Sequence, residues 1–483
     1  MPRAHGPHRR RAVPAIPGGC LLSYESYELL TPDNLSDYLK SQPHLHGSVD
    51  PLRLSVREVG DGNLNLVFIC ESPGMPGLCI KQSLPYVRMV GPEWPLSPER
   101  ACAEARSYQV ASEAAPTLVP RYFGFDARRY ALALENLSGW TVLRSLLNSG
   151  VPAPGAESDA GAYSARMVFA TSFMGLPSEA LRRQVCSSAN AELCAITEQL
   201  VLTEPFVDHP RNSFFPGLAR AVEDLRRDRH YIANVQRLKH RFLTASEALV
   251  HGDLHTGSIM VRQSGDRQVG GGQGGAGTAG DRSGGGGEGD GGGPSRRDAR
   301  VSPTQLPDGE GSLWAAKVFD PEFCFYGPAA LDVGMLMGNL ALAAGRAAVC
   351  DLGTQRSGDM LAWLLVAVER VWVSFEAELR ALWPARTDTS FGDDFLEAWL
   401  LRASEDACGY AGCEIVRRIV GLAKVSDLET LDEGARVRAQ SALLSAARRT
   451  TPSRLAEGGV TDEPAGVVRA FAELLRSELR QVG

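Results

Sequence analysis

At Glu135-Asn136-Leu137 the hydrophobic pattern of this chain changes period, and the change divides it into two unlike halves. Upstream, short apolar runs are separated by turn residues. Leu54 to Val59, Leu64 to Cys70 and Leu78 to Gln82 predict three antiparallel strands. Tyr122 to Phe125 and Tyr130 to Leu134 predict two more. One helix interrupts them, from Ser97-Pro98-Glu99 to about Ser112, with Pro98 expected at the first helical position. Thr31-Pro32-Asp33 predicts a helix start before Leu35. Downstream, the apolar spacing is helical over Gln184 to Leu202, over Phe214 to Lys239, and over about 328–380 and 394–448. Strand-like pieces return only near 259–262 and 315–319. A run of strands followed by a run of helices points to the α+β class.

Residues 265–293 hold 16 glycines in 29 positions. Such a tract has too few apolar groups to offset the entropy of ordering it. Its flanks, Met260-Val261-Arg262 and Ala316-Lys317-Val318, predict the two arms of a hairpin, with a disordered insertion over 264–300 in its loop. Loop-closure entropy grows only logarithmically with length, so a long loop is tolerated there. The expected organisation is a disordered extension over 1–26, a nucleotide-binding sheet and helix over 27–135, a mainly helical unit over 136–450 and a helical tail over 451–483.

Composition excludes several functions. Lys+Arg number 50 and Asp+Glu 57, so the formal charge is 50 − 57 = −7. That balance lacks the basic footprint of a nucleic-acid binder. No uncharged apolar run reaches the ~18 residues of a membrane span. None of the ten cysteines forms a C-x-x-C pair, which removes a zinc ribbon and a redox dithiol. Reduced thiols of a cytoplasmic protein are the simplest reading. Residues 1–24 contain no acid and include Arg3, Arg9, Arg10 and Arg11. The segment is short and Pro/Gly-rich, so an untargeted tail is expected, with an organelle transit peptide as the alternative.

Four clusters carry chemistry. His251-Gly252-Asp253 lies between apolar runs, where an aspartate fixed in a loop can accept a proton from a substrate hydroxyl. Asp320 and Glu322 stand at i and i+2 beside a strand, a pairing suited to a divalent cation bridging phosphates. Gly60, Asp61, Gly62, Asn63 and Asn65 lie between two strands, where glycines let backbone N–H groups approach phosphates. Lys81 ends a strand and suits the α/β-phosphates. Each cluster alone is weak, since glycine turns are ordinary hairpins and strand-end lysines are ordinarily solvated. Their order along the chain is that of kinase-like phosphotransferases.

Longer motifs narrow the choice. HGDLHTGSIMV at 251–261, FDPEFCFYGP at 319–328, LDVG at 331–334 and GDGNLN at 60–65 together resemble the methylthioribose kinase family. KQSLPYVRMVGPEWPL at 81–96 and ELCAITEQLVLTEPF at 192–206 add to the resemblance, which covers most of 27–448. It implies a two-lobed protein-kinase-like fold of the aminoglycoside/choline kinase branch, with a small antiparallel N-lobe and a larger helical C-lobe. It implies ATP and Mg²⁺, and phosphorylation of the anomeric 1-hydroxyl of methylthioribose in methionine salvage. Asp253 would be the catalytic aspartate, Asp320 and Glu322 the metal ligands. Gly60 to Asn65 would cover the nucleotide phosphates, Lys81 would touch them, and Glu104 would pair with Lys81. Glu135 and Leu137 would form the hinge against adenine. Arg417 and Arg418 match an arginine pair that the family places near the transferred phosphate.

Adjacent helix residues point about 100° apart, so the two arginines are not expected to face one direction. His251, His255 and Asp332 are expected as framework around the catalytic loop. Ser258 stands where related kinases carry a metal-binding asparagine, so metal ligation is expected to lean on 320 and 322. Cys324 replaces a usual alanine. The extension and the glycine tract are additions to the family pattern. Expected partners are the sugar and ATP, with no nucleic acid and no membrane, and a homodimer is left open. The rivals are a choline or aminoglycoside kinase of the same fold and a non-catalytic nucleotide-binding scaffold. A protein kinase is disfavoured because no D-F-G or A-P-E segment follows.

Overall fold

A computed structural model of the chain describes residues 27–60, 64–88, 90–263, 314–350, 353–457 and 462–482. The extension over 1–26, the loop residues 61–63 and the tract over 264–313 lie outside the described residues. In the first lobe, helix α1 (Leu35–Lys40) precedes strands β1 (Ser55–Glu58), β2 (Asn65–Glu71) and β3 (Leu78–Ser83). A small ribbon of β4 (Tyr86–Val87) and β5 (Gly91–Pro95) leads to α2 (Arg100–Ala114), β6 (Tyr122–Asp126) and β7 (Ala131–Glu135). The antiparallel sheet runs β1-β2-β3-β7-β6.

Strand alternation sorts the side chains of β3. Ile80 joins Leu35, Leu39 and Phe68 in a core on the α1 side. Its neighbour Lys81 therefore points the other way, where Ala101, Ala105 and Tyr108 of α2 pack on Leu132 and Leu134. One sequence step thus turns an apolar anchor into a lysine aimed at a helix. The helix begins two residues later than expected, at Arg100. Pro98 lies in the turn before it, its carbonyl accepting from Ala101 N–H at 3.0 Å.

The second lobe holds β8 (Thr141–Val142), α3 (Leu143–Asn148), α4 (Ala156–Thr171), α5 (Ser178–Ser187), α6 (Ala191–Leu202), α7 (Ala219–Arg227) and α8 (Arg229–Thr244). Then come β9 (Ala248–Val250), β10 (Ile259–Gln263), β11 (Trp314–Val318) and β12 (Phe325–Gly327). Helices α9 (Leu331–Val349), α10 (Thr354–Leu382), α11 (Asp393–Val420), α12 (Ser426–Glu429), α13 (Glu433–Arg448), α14 (Pro452–Ala456) and α15 (Pro464–Leu479) complete it. The architecture is α+β in two lobes, and no described helix is long and apolar enough to cross a membrane.

Two stretches with continuous helical spacing are broken, and each break has a polar cause. Between α5 and α6, buried Asn190 turns its amide to the carbonyls of Glu322, at 2.8 Å, and Cys324, at 3.1 Å. Between α7 and α8, Asp228 accepts from Tyr231 N–H at 3.1 Å and caps α8. The strand expectation was too narrow, because β9 pairs with β12 and β8 with β10. Two or three residues are too few for a period to show. The expected arms do pair: β10 and β11 run antiparallel from Ile259↔Val318 to Gln263↔Trp314.

Helix α9 is the axis of the second lobe and is buried on nearly every side. Gly334 and Gly338 let α11 come close, since a Cβ there would stand 2.5 Å from the Ala407 carbonyl and 2.8 Å from the Ala411 carbonyl. Helix α15, in the segment expected as a tail, buries Val467, Phe471 and Leu475 in the same core.

Asp228 also ties the chain's end to α8. It accepts from Arg448 Nε at 2.6 Å and from Arg454 Nη1 at 2.7 Å. Burial alone would raise its carboxyl, but Arg454 and Arg448 hold it below the usual range. A lowered folded pKa contributes stability above the unfolded value, about 4, and loses it as pH falls. Asp228→Asn is expected to cost about 2 kcal/mol at pH 7, between the values for exposed and buried pairs. Thermal melts of both proteins should converge as pH drops below about 4; a gap constant with pH would refute the ionic account.

Candidate active site

The cleft is built from residues on both lobes. Lys81 Nζ lies 2.8 Å from Glu104 of α2 and also pairs with Asp320. Burial would lower the lysine, but Asp320, Glu104 and Glu322 hold its pKa well above the usual value. Glu104 is fully buried, and burial pushes its carboxyl up to about 7 against the pull of Lys81. The lysine is thus a fixed cation.

Oxygens of Glu104, Asp320 and Glu322 lie within 4.8 Å of one another. Hard carboxylate oxygens at that spacing fit a magnesium-type ion. Asp320 has φ 66°, a left-handed conformation uncommon outside glycine. Its N–H donates to the Tyr108 hydroxyl at 2.9 Å. Burial raises the Glu322 carboxyl, while Lys81 outweighs burial at Asp320 and lowers it.

The loop that carries Asp253 depends on a glycine. Gly252 has φ 84°, and a Cβ there would collide with the Phe323 carbonyl. Asp332, at the start of α9, accepts from the N–H of His251 at 2.6 Å and of Gly252 at 2.9 Å. It braces the loop. His251 Nδ1 accepts from Asp253 N–H at 3.3 Å, and its Nε2 meets the Phe319 carbonyl at 3.0 Å. His255 Nδ1 accepts from Gly257 N–H at 2.9 Å. Its remaining ring proton in the neutral form is then on Nε2, 3.4 Å from Asp253 Oδ2. Ser258 takes part in the turn, accepting from His255 N–H at 2.9 Å.

Both arginines of α11 turn towards that aspartate. Arg417 Nη2 donates to Asp253 Oδ1 at 2.8 Å, and Arg418 Nη2 stands 4.0 Å from the same oxygen. The expected divergence fails because long side chains bend back along the helix. Both arginines are buried and converge on Glu414, three and four residues before them. Burial would raise Asp253, but Arg417, His255 and Arg418 hold it well below the usual carboxylate range.

The other expected residues have these surroundings. Asn65 is buried, with its amide nitrogen 2.7 Å from Glu322 Oε2 and its oxygen accepting from Arg100 at 2.8 Å. Its side chain supports the D-x-E loop and does not line the glycine turn. Gly60 ends the described residues of that turn; Asp61, Gly62 and Asn63 lie outside the described residues. Glu135 pairs through its side chain with Lys317 and accepts from Arg121 N–H at 2.9 Å. Leu137 is buried, and its carbonyl accepts from Trp140 N–H at 2.9 Å. Trp94 is half-buried against the cluster of Val87, Leu96 and Leu193. Cys324 Sγ meets the Ala103 carbonyl at 2.9 Å.

Sequence reasoning missed Arg100, Glu414, Asn339 and Arg144. Arg100 donates to the carbonyls of Leu84 and Ser97, each at 2.8 Å, and lies 3.6 Å from Glu322. Arg144 meets Asn339 Oδ1 at 2.7 Å and Asp427 at 2.9 Å. Only Glu414 left a signal, an acid at helical spacing from two basic residues.

No family model matches the chain. Among curated proteins, the methylthioribose kinase of Geobacillus kaustophilus is 33% identical over 386 residues, covering 79% of this chain and 83% of that protein. The methylthioribose kinase of Yersinia pseudotuberculosis is 35% identical over 392 residues, covering 80% and 83%. A solved choline/ethanolamine kinase family protein from Mesorhizobium loti is 13% identical, covers 85% of this chain and 98% of its own, and superposes loosely, with a TM-score of 0.30. The two methylthioribose kinases match across both lobes at about a third identity, and on that ground this chain belongs to the methylthioribose kinase family.

Proposed function

We propose that the cleft transfers the γ-phosphoryl group of ATP to the anomeric 1-hydroxyl of methylthioribose, with Asp253 orienting that hydroxyl. The protein is an ATP-dependent methylthioribose kinase of methionine salvage. One observation carries the assignment of roles: a single carboxylate, Asp253, is held by Arg417 at 2.8 Å on a loop joined to the lysine-and-acid cluster. The join is a hydrogen bond from Phe319 N–H to the Ser258 carbonyl at 2.9 Å.

The chemistry balances simply. The hydroxyl oxygen bonds to the γ-phosphorus, the bond from that phosphorus to the bridging oxygen breaks, and ADP leaves. The hydroxyl proton passes to Asp253. Asp253 is a weak base, which suits a loose transition state where positioning matters more than proton abstraction. Lys81 fixes the α/β-phosphates, with Glu104 holding the lysine. Magnesium bound by Asp320 and Glu322 would neutralise phosphate charge. Arg417 and Arg418 meet the charge developing on the transferred group. Asn65 serves from behind Glu322. Backbone groups of Glu135 to Leu137 receive adenine. The enzyme acts in the cytoplasm without a nucleic-acid partner, as a monomer or homodimer that gel filtration would distinguish.

In a coupled ADP-release assay, methylthioribose is expected to exceed ribose, choline and kanamycin in kcat/KM. A preference for choline or kanamycin would overturn the substrate assignment.

A further inference from the structure

Glu414 has no exposed surface and lies where α11 meets α9. Its Oε2 is 2.6 Å from Arg417 Nε, and its Oε1 accepts from Arg418 Nε at 2.8 Å. Asn339 of α9 donates to the same Oε1 at 2.8 Å. One carboxylate therefore holds each guanidinium at the nitrogen nearest its stem. Arg417 then directs Nη2 at Asp253, whereas Arg418 donates Nη1 to the Ala423 carbonyl at 3.4 Å and has its Nη2 4.0 Å from Asp253. Arg417 Nη2 is occupied by it, but Arg418 Nη2 is buried and has no hydrogen-bond partner among the described residues. A buried donor without an acceptor is costly, so its retention asks for an oxygen that the chain does not supply.

Burial of three arginines beside Asp253, Glu414 and Asp427 also calls for fixed geometry, because charges inside a protein are tolerated only when well placed. Helix α9 provides the frame. Asp332 and Asn339 are seven residues apart, which places them on one face about 10 Å apart along the axis. Asp332 holds the catalytic loop and Asn339 holds Glu414. A single rigid helix thereby sets the separation between Asp253 and the arginine forks.

We propose that Glu414 is a positioning residue for phosphoryl transfer. It orients both guanidinium planes so that Arg418 Nη2 meets an oxygen of the transferring group, and Asn339 locks it against α9. The inference rests on the reading that Arg417 and Arg418 serve that group. It adds a residue that touches neither ATP nor sugar.

Two variants separate positioning from charge balance. Glu414→Gln keeps the shape and removes the charge; Glu414→Asp keeps the charge and shortens the reach by one methylene. Positioning predicts that both lower kcat about 10–100-fold, since small misplacements near the reacting atoms are costly. KM for ATP should stay within about threefold, the pattern of an interaction made in the transition state. Glu414→Asp/Arg418→Lys should be no slower than Arg418→Lys alone, because residues acting as one unit are not additive. Near-wild-type kcat in Glu414→Asp would reduce Glu414 to a counter-ion and overturn the proposal. So would a lowered melting temperature with unchanged kcat in the folded fraction. Should Glu414→Gln not fold, Glu414→Asp and Asn339→Ser, which keep every charge, bear the same test. Arg417→Lys and Arg418→Lys mark the source of a failure. If they retain wild-type kcat, the reading of the arginines falls and this inference with it. If they lose it while the Glu414 variants do not, only the inference falls.

Discussion

Asp253→Asn is expected to lower kcat by ~10²–10⁴-fold, the range of general-base contributions. The substitution preserves size but removes the anionic oxygen pair held between Arg417 and His255. An amide presents a donor to one of two donors, so the orientation of the hydroxyl is lost with its proton acceptor. KM for ATP should change little, because Lys81, Glu104 and Asp320 keep their own contacts. Steady-state kinetics with saturating sugar and varied ATP provide the check, and turnover close to wild type would remove Asp253 from the mechanism. The wild-type pH profile adds a second reading. Arginine contacts hold the Asp253 pKa down, so the group stays ionised above the usual carboxylate value of about 4. Protonation of Asp253 should therefore cost no activity until pH falls below that value.

Asp320→Asn is expected to lower kcat/KM for Mg·ATP by ~10²–10³-fold, the scale seen when one preorganised electrostatic group is removed. Asparagine tolerates the left-handed backbone at 320, so charge changes while the turn does not. The loss should shrink as magnesium is raised, since a weakened site fills at higher ion concentration. Kinetics across a magnesium series would show it. Activity that ignores magnesium would mean that Asp320 acts through Lys81 alone. Glu322→Gln should shift the same way by less, because Asn65 and Arg100 continue to hold its side chain.

What the sequence revealed and what it hid follow a physical line. Strand alternation already aims Lys81 away from Ile80, and a helix beginning near Pro98 brings Glu104 to it. Hydrophobic period is a local property of a single chain, so the small sheet, the helical lobe and the β10–β11 pair were all legible. Contacts between distant segments were not. Asn65 reads as a member of a glycine turn, yet it serves Glu322, 257 residues away. Asn190 breaks a helix for carbonyls 132 and 134 residues further on. The arginine pair shows another limit: helix angles fix where a side chain leaves the backbone, not where its long flexible stem takes it. Glu414 lay within reach of a spacing rule and was passed over, because a buried acid in an apolar helix looks like any other helix acid until its partners are seen.

The hairpin of β10 and β11 has a mechanical consequence. Its loop end lies at Gln263 and Trp314 and its open end at Ile259 and Val318, from which the chain continues to Ser258 and Asp320. Tension applied across residues 263 and 314 would load the ladder in unzipping geometry, where pairs break in succession and not together. Five residue pairs separate that point of pull from the hydrogen bond between Phe319 and Ser258. A tether between those two positions, for example a stretched DNA linker or an optical-trap handle, would therefore reach the cleft by a short path, and catalytic rate would become a gauge of force.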